Sequence, residues 1–496
     1  MYRPSLEEFR RLARGDLLVP VTREIFSDLD TPVSAFLKVD DGRYGFLLES
    51  VEGGEKWGRY SFLGSRPAAV FRARDRRVEI ERDGRTEVQE NVDPLAVLEH
   101  ELLRRRAVPM PGLPRFTGGA VGYLGYDVVR HIERVPSSHP DELGVPDAVF
   151  LFSDVVTIFD NHTHTLKVVT HARGWGDPDK EYAAARDRLD AEVDRLLAPL
   201  ASRPALVSAP PPEVQAVWPE AGFEAAVEKA KEYIRAGDIF QVVLAHRLSV
   251  PIHSAPFDAY RALRVVNPSP YMYFLRLGDM ALAGSSPEVL VRHEDGNVEV
   301  RPIAGTRPRG ASADEDAALE RELSGDEKER AEHVMLLDLG RNDVGRVSRY
   351  GSVRVTESFV IERYSQVMHL VSNVRGRLRP DLTPMQVVRA CFPAGTVSGA
   401  PKVRAMEIID ELEPTRRGVY AGAVGYFDLH GNLDLAIAIR TLLLKGGRAH
   451  LGVGAGIVYD SVPEREYAET MSKGKALLQA LERAELGLET SDGRRA

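Results

Sequence analysis

Cysteine is almost missing from this 496-residue chain, and Cys391 stands alone. A single cysteine excludes an intrachain disulfide and any multi-cysteine metal site. Long apolar runs are missing too. No stretch approaches the roughly 18–20 apolar residues of a membrane span. The first residues, Met1–Pro20, mix Arg, Glu and Leu and lack the apolar core of a secretory signal. There is no basic excess, since 65 Lys and Arg face 74 Asp and Glu, for a net charge of −9. That balance argues against a general nucleic-acid binder. The expectation is a soluble, cytoplasmic protein with neither nucleic acid nor membrane as partner. What is present is apolar substance: 43% of residues are hydrophobic, enough for more than one packed core and roughly two to four domains.

Periodicity organises the chain into two parts. Ala69–Glu81 alternates apolar and charged residues, which predicts a half-buried strand. Gly118–Asp127 predicts a buried strand whose glycines admit a close backbone neighbour. Leu151–Phe159 and Leu166–Thr170 flank Asp160-Asn161-His162 as a hairpin. Tyr182–Leu200 is helical by period, and the proline-rich stretch Ala201–Pro219 predicts a linker. The second part opens on a helix with Phe223, Val227, Ala230, Tyr233 and Ile234 on one face, ended by Gly237. Further strands are expected at Phe240–Val250, Tyr271–Leu277, Ala281–Ala283, Val298–Pro302, Ala421–Asp428, Leu433–Leu444 and Ala449–Val458. Helices are expected at Ala313–Leu323, Glu327–Leu339, Pro384–Ala390, Lys402–Leu412 and Glu464–Leu486. Strands and helices do not alternate strictly, so the class is α+β. The run Gly119–Tyr123 recurs at Gly422–Tyr426. Five residues do not establish a repeat, but the echo is compatible with equivalent strands in two related halves.

Four segments could carry chemistry. In Lys328–His333, Glu329 and Glu332 share a helix face. Beside a cleft such a pair suits Mg²⁺, although a solvated charged face fits the same residues. In Leu451–Lys473, Gly452, Gly454 and Gly456 interrupt a strand, and a helix with Glu469 and Lys473 four apart follows. The glycines admit a ligand to the backbone or simply mark a tightly packed strand. The spacing is not that of a dinucleotide fingerprint. Pro302–Gly310 combines Gly305 and Thr306 with Arg307 and Arg309, a set suited to an anion or to a plain surface loop. Pro393–Lys402 leads small and hydroxyl residues into a helix start, where free N–H groups favour anions. It is not a Walker loop. Cys391 reads as a buried core thiol.

Taken together and in this order, the segments over Phe223–Leu486 resemble the chorismate-utilising enzymes. The matching blocks are Gly284–Glu288, Pro302–Gly310, Lys328–His333 running into Leu339–Asp343, Val367–Leu370, Gly395–Lys402 and Gly454–Ser461. The first part is similar to the N-terminal domain of the aminating branch, anthranilate synthase component I, through Leu47–Ser50 and Phe116–Asp127. The resemblance implies large antiparallel sheets sandwiched together with helices outside. It implies a regulatory and partner-binding domain over 1–200, a linker over 201–219 and a catalytic domain over 220–488. It also implies roles. Glu332 and Glu469 match the Mg²⁺ ligands, with Glu329 adjacent, and the metal bridges to the substrate's ring carboxylate. Gly305, Thr306, Tyr420, Arg440, Gly454, Ala455 and Gly456 match chorismate-contacting positions, and Lys473 adds positive charge near a carboxylate. Glu288 matches the acid that protonates the departing ring hydroxyl, which requires a raised pKa. His369 matches the base acting at C2, beside Thr306 among the expected catalytic residues. Without the resemblance, His369 reads equally as a hydrogen-bonded core histidine.

Two positions choose among branches of the resemblance. Water-adding members carry a lysine where this chain has Gln241, which cannot act as a general base. Aminodeoxychorismate synthases typically carry a lysine where this chain has Ala304. The implied reaction is therefore chorismate and ammonia to anthranilate and pyruvate through aminodeoxyisochorismate, the first step of tryptophan biosynthesis. An aminodeoxychorismate synthase of the non-lysine kind is the alternative. Ser50 with Pro270, Tyr271 and Met272 matches the family's feedback site for L-tryptophan. A glutaminase needs a cysteine–histidine nucleophile, and Cys391 lies inside the synthase core. The expected nitrogen donor is thus a separate glutamine amidotransferase subunit.

Overall fold

The computed structural model describes residues 1–13, 15–50, 58–200, 213–364 and 367–488. Its core is a pair of face-to-face antiparallel sheets with helices on both outer faces. One sheet runs Tyr2–Arg3, Leu18–Phe26, Thr165–Arg173, Val155–Asp160, Tyr60–Ser65, Tyr44–Glu49, Tyr271–Leu277, Met280–Ser286, Thr441–Lys445, Arg448–Ile457, Gln241–Pro251 and Gln215–Ala216. The other runs Ile303–Pro308, Val367–Arg377, Asn297–Val300, Val289–Glu294, Leu433–Ile437, Ala423–Asp428, Gly119–Leu124, Ala148–Ser153, Ala69–Arg74, Arg77–Arg82 and Arg85–Gln89. Strand alternation feeds two cores from one sheet. Met272 and Phe274 pack outward against helices Pro32–Val39 and Pro256–Val266, with Phe36, Phe257 and Tyr260. Tyr273 and Leu275, between them in sequence, face the second sheet with Val121, Tyr123 and Val149.

Both sheets take strands from both parts of the chain. Tyr44–Glu49 pairs directly with Tyr271–Leu277, and Gly119–Leu124 with Ala423–Asp428. The segments 1–200 and 220–488 thus share one sandwich. Of the expected linker, 201–212 lies outside the described residues. Gln215–Ala216 is not linker but a short edge strand paired with Leu248 and Ser249.

The echo noted in the sequence has a structural meaning. The order of strands from Tyr44 to Arg173 is repeated from Tyr271 to Ile457, and each series ends in a long helix, Pro178–Leu197 and Pro463–Glu485. The two Gly-Ala-Val-Gly-Tyr strands lie side by side, with Gly122 opposite Gly425. A Cβ at Gly122 would stand 1.9 Å from the carbonyl oxygen of Val149, and one at Gly425 2.0 Å from that of Asp434. Only glycine fits at either place. The second half differs by an insertion: strand Ile303–Pro308, helices Ala313–Gly325 and Glu327–Val347, and strand Arg354–Arg363.

Three expected strands prove divided. Ala69–Glu81 is a hairpin, Ala69–Arg74 with Arg77–Arg82, turning at Asp75 in the left-handed region (φ 47°). Leu433–Leu444 is two strands in different sheets, Leu433–Ile437 and Thr441–Lys445. Leu151–Phe159 divides likewise into Ala148–Ser153 and Val155–Asp160. In each of the last two the chain crosses from one sheet to the other, and apolar residues on both sides of the crossing hide the break from periodicity. Among the described residues no helix is long and apolar enough to cross a membrane.

Candidate active site

The site forms where the second half changes sheets. Met280–Ser286 belongs to one sheet and Val289–Glu294 to the other, so Pro287 and Glu288 lie in the crossing. Ala438–Arg440 crosses back. The crossings are hydrogen-bonded to each other: Ile437 N–H donates to Glu288 O (3.0 Å), and Ser285 N–H to Arg440 O (3.0 Å). At the equivalent crossing of the first half, Gly64-Ser65-Arg66-Pro67-Ala68 takes the place of Gly284-Ser285-Ser286-Pro287-Glu288, so Ala68 stands where the acid stands.

Glu288 is 8% exposed. Burial pushes its carboxyl up to about 8, against smaller opposing effects of the Thr396 hydroxyl and the Lys473 ammonium. A carboxylic acid that keeps its proton at neutral pH is equipped to donate it. Arg440 holds a left-handed backbone (φ 50°), unusual for a residue with a side chain. Burial lowers the pKa of its guanidinium, and Tyr420 counteracts weakly. Its field is felt at both His369 and Tyr420. Among the described residues it has no carboxylate partner, which leaves it available to an anion.

His369 and Thr306 are register partners on neighbouring strands. His369 Nδ1 lies 3.0 Å from Thr306 Oγ1 and 3.2 Å from Gly305 O. A carbonyl only accepts, so Nδ1 carries the proton and Nε2 keeps its lone pair. Burial lowers the pKa of the ring, which favours the neutral base. Gly305 is left-handed (φ 63°), and a Cβ there would meet Leu323 at 2.8 Å and Glu329 at 3.1 Å.

The insertion and the last helix supply the carboxylates. Burial raises the pKa of Glu332, and the neighbouring Glu329 and Glu469 raise it further, while Lys473 opposes. Gathered like charges of this kind fit a hard cation. Among the described residues no group of three or more His, Cys, Asp or Glu is arranged to hold a metal. Glu332 and Glu469 are the carboxylates there that a cation such as Mg²⁺, which commonly takes one or two, could use. Glu329 is tied to Arg307 (3.2 Å). Lys473 pairs with Glu469 (2.7 Å) and donates to Gly454 O (2.9 Å). Glu466, one turn before Glu469, belongs to the same cluster and has a pKa raised mainly by burial. Its spacing of three residues from Glu469 was the available signal.

Several segments read in the sequence have close partners in the structure. Gly452, Gly454 and Gly456 are tightly packed on the side where a Cβ would stand. The Tyr420 ring covers Gly452, where a Cβ would stand 2.3 Å from it, and its hydroxyl covers Gly454, while the Gln241 amide covers Gly456. Ala455 points its side chain into the opposite core with Val242 and Leu244, so only its backbone can serve a substrate. Arg307 and Arg309 do not wait for an anion: Arg307 bonds Glu322, Asp326 and Glu329, and Arg309 bonds Asp316. Lys402 likewise bonds Asp343 (2.9 Å). Thr396, whose buried hydroxyl has no hydrogen-bond partner and lies near the Glu288 carboxyl, was not singled out beforehand, because its position depends on a turn folded against a crossing more than a hundred residues earlier.

Ser50, Pro270, Tyr271 and Met272 line a separate cavity of about 330 Å³. Tyr60, Phe62, Tyr273 and Tyr426 give it aromatic walls, and Glu49, Arg59 and Asp434 give it charge. It sits on the seam between the two halves of the chain.

Comparison with known proteins places the chain in a family. Residues 46–479 match the family described as chorismate binding enzyme. The chain belongs to the chorismate binding enzymes. It is a chorismate-utilising enzyme whose similar relatives include anthranilate synthase component 1 of Pseudomonas aeruginosa, 52% identical over 97% of this chain and 99% of that protein. The same component of Aquifex aeolicus is 47% identical over 97% of this chain and 98% of that protein. Among solved structures, anthranilate synthase component I of Streptococcus pneumoniae matches with a TM-score of 0.77 and 38% identity, over 92% of this chain and 99% of that one. A menaquinone-specific isochorismate synthase of Escherichia coli shares the chorismate binding fold at 19% identity and a TM-score of 0.69.

Proposed function

We propose that this chain is the aminating component of an anthranilate synthase, converting chorismate and ammonia to anthranilate and pyruvate. Buried, protonated Glu288 carries the reading. Ammonia attacks ring C2 as the C4 hydroxyl leaves as water with the Glu288 proton. His369 Nε2 then removes the C2 proton as the C3–O bond breaks and the enolpyruvyl group departs as enolpyruvate, whose methylene carbon takes up a proton from the solvent to give pyruvate. Arg440, Tyr420 and the backbone of Gly454–Gly456 hold the substrate, and Thr306 and Gly305 fix the His369 tautomer. Mg²⁺ held by Glu332 and Glu469 would neutralise the ring carboxylate and fix its position. Lys473 adds positive charge to a site that must attract an anion in a chain of net charge −9.

Gln241, buried with its Oε1 unpartnered, cannot act as a base on water, so ammonia is the favoured nucleophile. Ala304 sits in the strand paired to Leu370 and offers no amine for a covalent adduct. Ammonia comes from a separate glutamine amidotransferase subunit, in keeping with relatives named component 1. The seam cavity suits an aromatic amino acid, and L-tryptophan bound there inhibits. The deciding experiment incubates the chain with chorismate, Mg²⁺ and ammonium and follows anthranilate fluorescence. Absence of anthranilate, or isochorismate as the main product, overturns the reading.

A further inference from the structure

One buried ion pair has no part in the chemistry described, although it touches several elements beside the acid side of the site. Arg417 and Glu413 are both buried and lie four residues apart in the segment that leads from the end of helix Lys402–Leu412 to Tyr420. The Arg417 guanidinium donates to Glu413 through Nε (2.9 Å to Oε2), to Val397 O (2.6 Å) and to Val243 O (2.7 Å). Glu413 Oε1 in turn accepts from Ala245 N–H (2.8 Å). Val397 closes the short turn Gly395–Val397 that carries Thr396, whose buried hydroxyl has no hydrogen-bond partner and lies near enough to Glu288 to oppose the rise of its pKa. Val243 and Ala245 are paired with Gly456 and Gly454. The guanidinium also lies over the ring of Tyr420 (5.7 Å) and that of Tyr126 (4.7 Å). Tyr126 belongs to the first half of the chain. Its N–H donates to Gly418 O (2.7 Å), and Asp127 Oδ2 accepts from Gly418 N–H (3.1 Å).

A buried ion pair is weak evidence of a stabilising role, because desolvation offsets much of its attraction. Its geometry is the informative part. A planar fork joins four elements at fixed angles, which a lysine cannot do from one point charge. We propose that Arg417, held by Glu413, is a positioning residue: it fixes the Thr396 turn and Tyr420 against the acid crossing and carries the contact of the first half, through Tyr126 and Asp127, into the active site. The proposal rests on the reading of Glu288 as the acid.

The test replaces both partners by apolar residues of similar size, Arg417→Met with Glu413→Leu. The swap removes both charges together but leaves Val397 O, Val243 O and Ala245 N–H without these partners, so a purely structural role predicts a lowered melting temperature with kcat per folded enzyme and the pH profile unchanged. Positioning predicts, whatever the melting temperature, kcat per folded enzyme reduced about tenfold or more with KM for chorismate changed less, and a displaced alkaline limb of the pH profile. Full kcat with an unmoved profile overturns the proposal. If that pair fails to fold, Arg417→Lys and Thr396→Val form a double-mutant cycle. Arg417 acting through the turn makes the combined loss no greater than the larger single loss, whereas fully additive losses overturn it. Glu288→Gln serves as the control: full activity there rejects the acid assignment and not the role of Arg417.

Discussion

At fixed total ammonium the structure predicts a particular pH profile, set by Glu288. Free ammonia rises tenfold per pH unit while ammonium predominates. With its carboxyl at about 8, Glu288 is about nine-tenths protonated at pH 7, whereas at its ordinary 4.5 it would be about 0.3% protonated. Burial therefore increases the active acid form about 300-fold at neutrality. Above about pH 8 the acid form falls tenfold per unit and cancels the gain in ammonia. Initial rates of anthranilate fluorescence, with saturating chorismate and Mg²⁺, should climb from about pH 6 and flatten near pH 8. Glu288→Gln should lose about a hundredfold or more in kcat, the ordinary contribution of a general acid. A rate that climbs unabated to about pH 9, or a Glu288→Gln variant with near-normal turnover, refutes the assignment. Stability supplies an independent reading. The folded pKa lies above the unfolded one, so the folded state holds the proton more tightly, and stability is lost as pH rises from 4.5 to about 8. Above that window Glu288→Gln should melt higher than the parent, having removed a penalty of up to about 5 kcal/mol.

Three further outcomes are expected. Glu332→Gln and Glu469→Gln should each lower activity about tenfold or more at low Mg²⁺, with partial recovery at high Mg²⁺, since each removes a hard anionic oxygen; a rate titration with the metal checks this. His369→Ala should slow pyruvate loss about a hundredfold while sparing amination, so that aminodeoxyisochorismate accumulates on chromatography; equal loss of both steps without an intermediate argues against the base role. L-Tryptophan should bind in calorimetry and inhibit, and Ser50→Phe should weaken both while sparing basal turnover, since inhibition requires preferential binding to the less active conformation.

Much of the site was legible because chemistry restricts residue choice within short motifs. Glu329 and Glu332 on one helix, Glu469 and Lys473 on another, and the Gly-Thr pair at 305–306 are local patterns, and the structure gathers Glu332, Glu469 and Lys473 together. The α+β class and most helices followed from period and caps, as with Gly237, which ends its helix left-handed (φ 84°). Other features depend on partners far away in the chain. Arg307 and Arg309 looked like anion ligands because sequence shows a charge and not its counter-charge, which folding supplied as Glu329 and Asp316. The glycines at 452–456 signalled crowding, but only packing showed that Tyr420 and Gln241 do the crowding. The sheet crossings at Glu288 and Arg440 were invisible, because a strand buried on both faces looks the same before and after it changes sheet. Residue types and local spacing thus determined which groups could do the chemistry. The tertiary structure decided which of them come together in the candidate site, because burial, charge pairing and the raised pKa of Glu288 arise only when distant segments exclude water together.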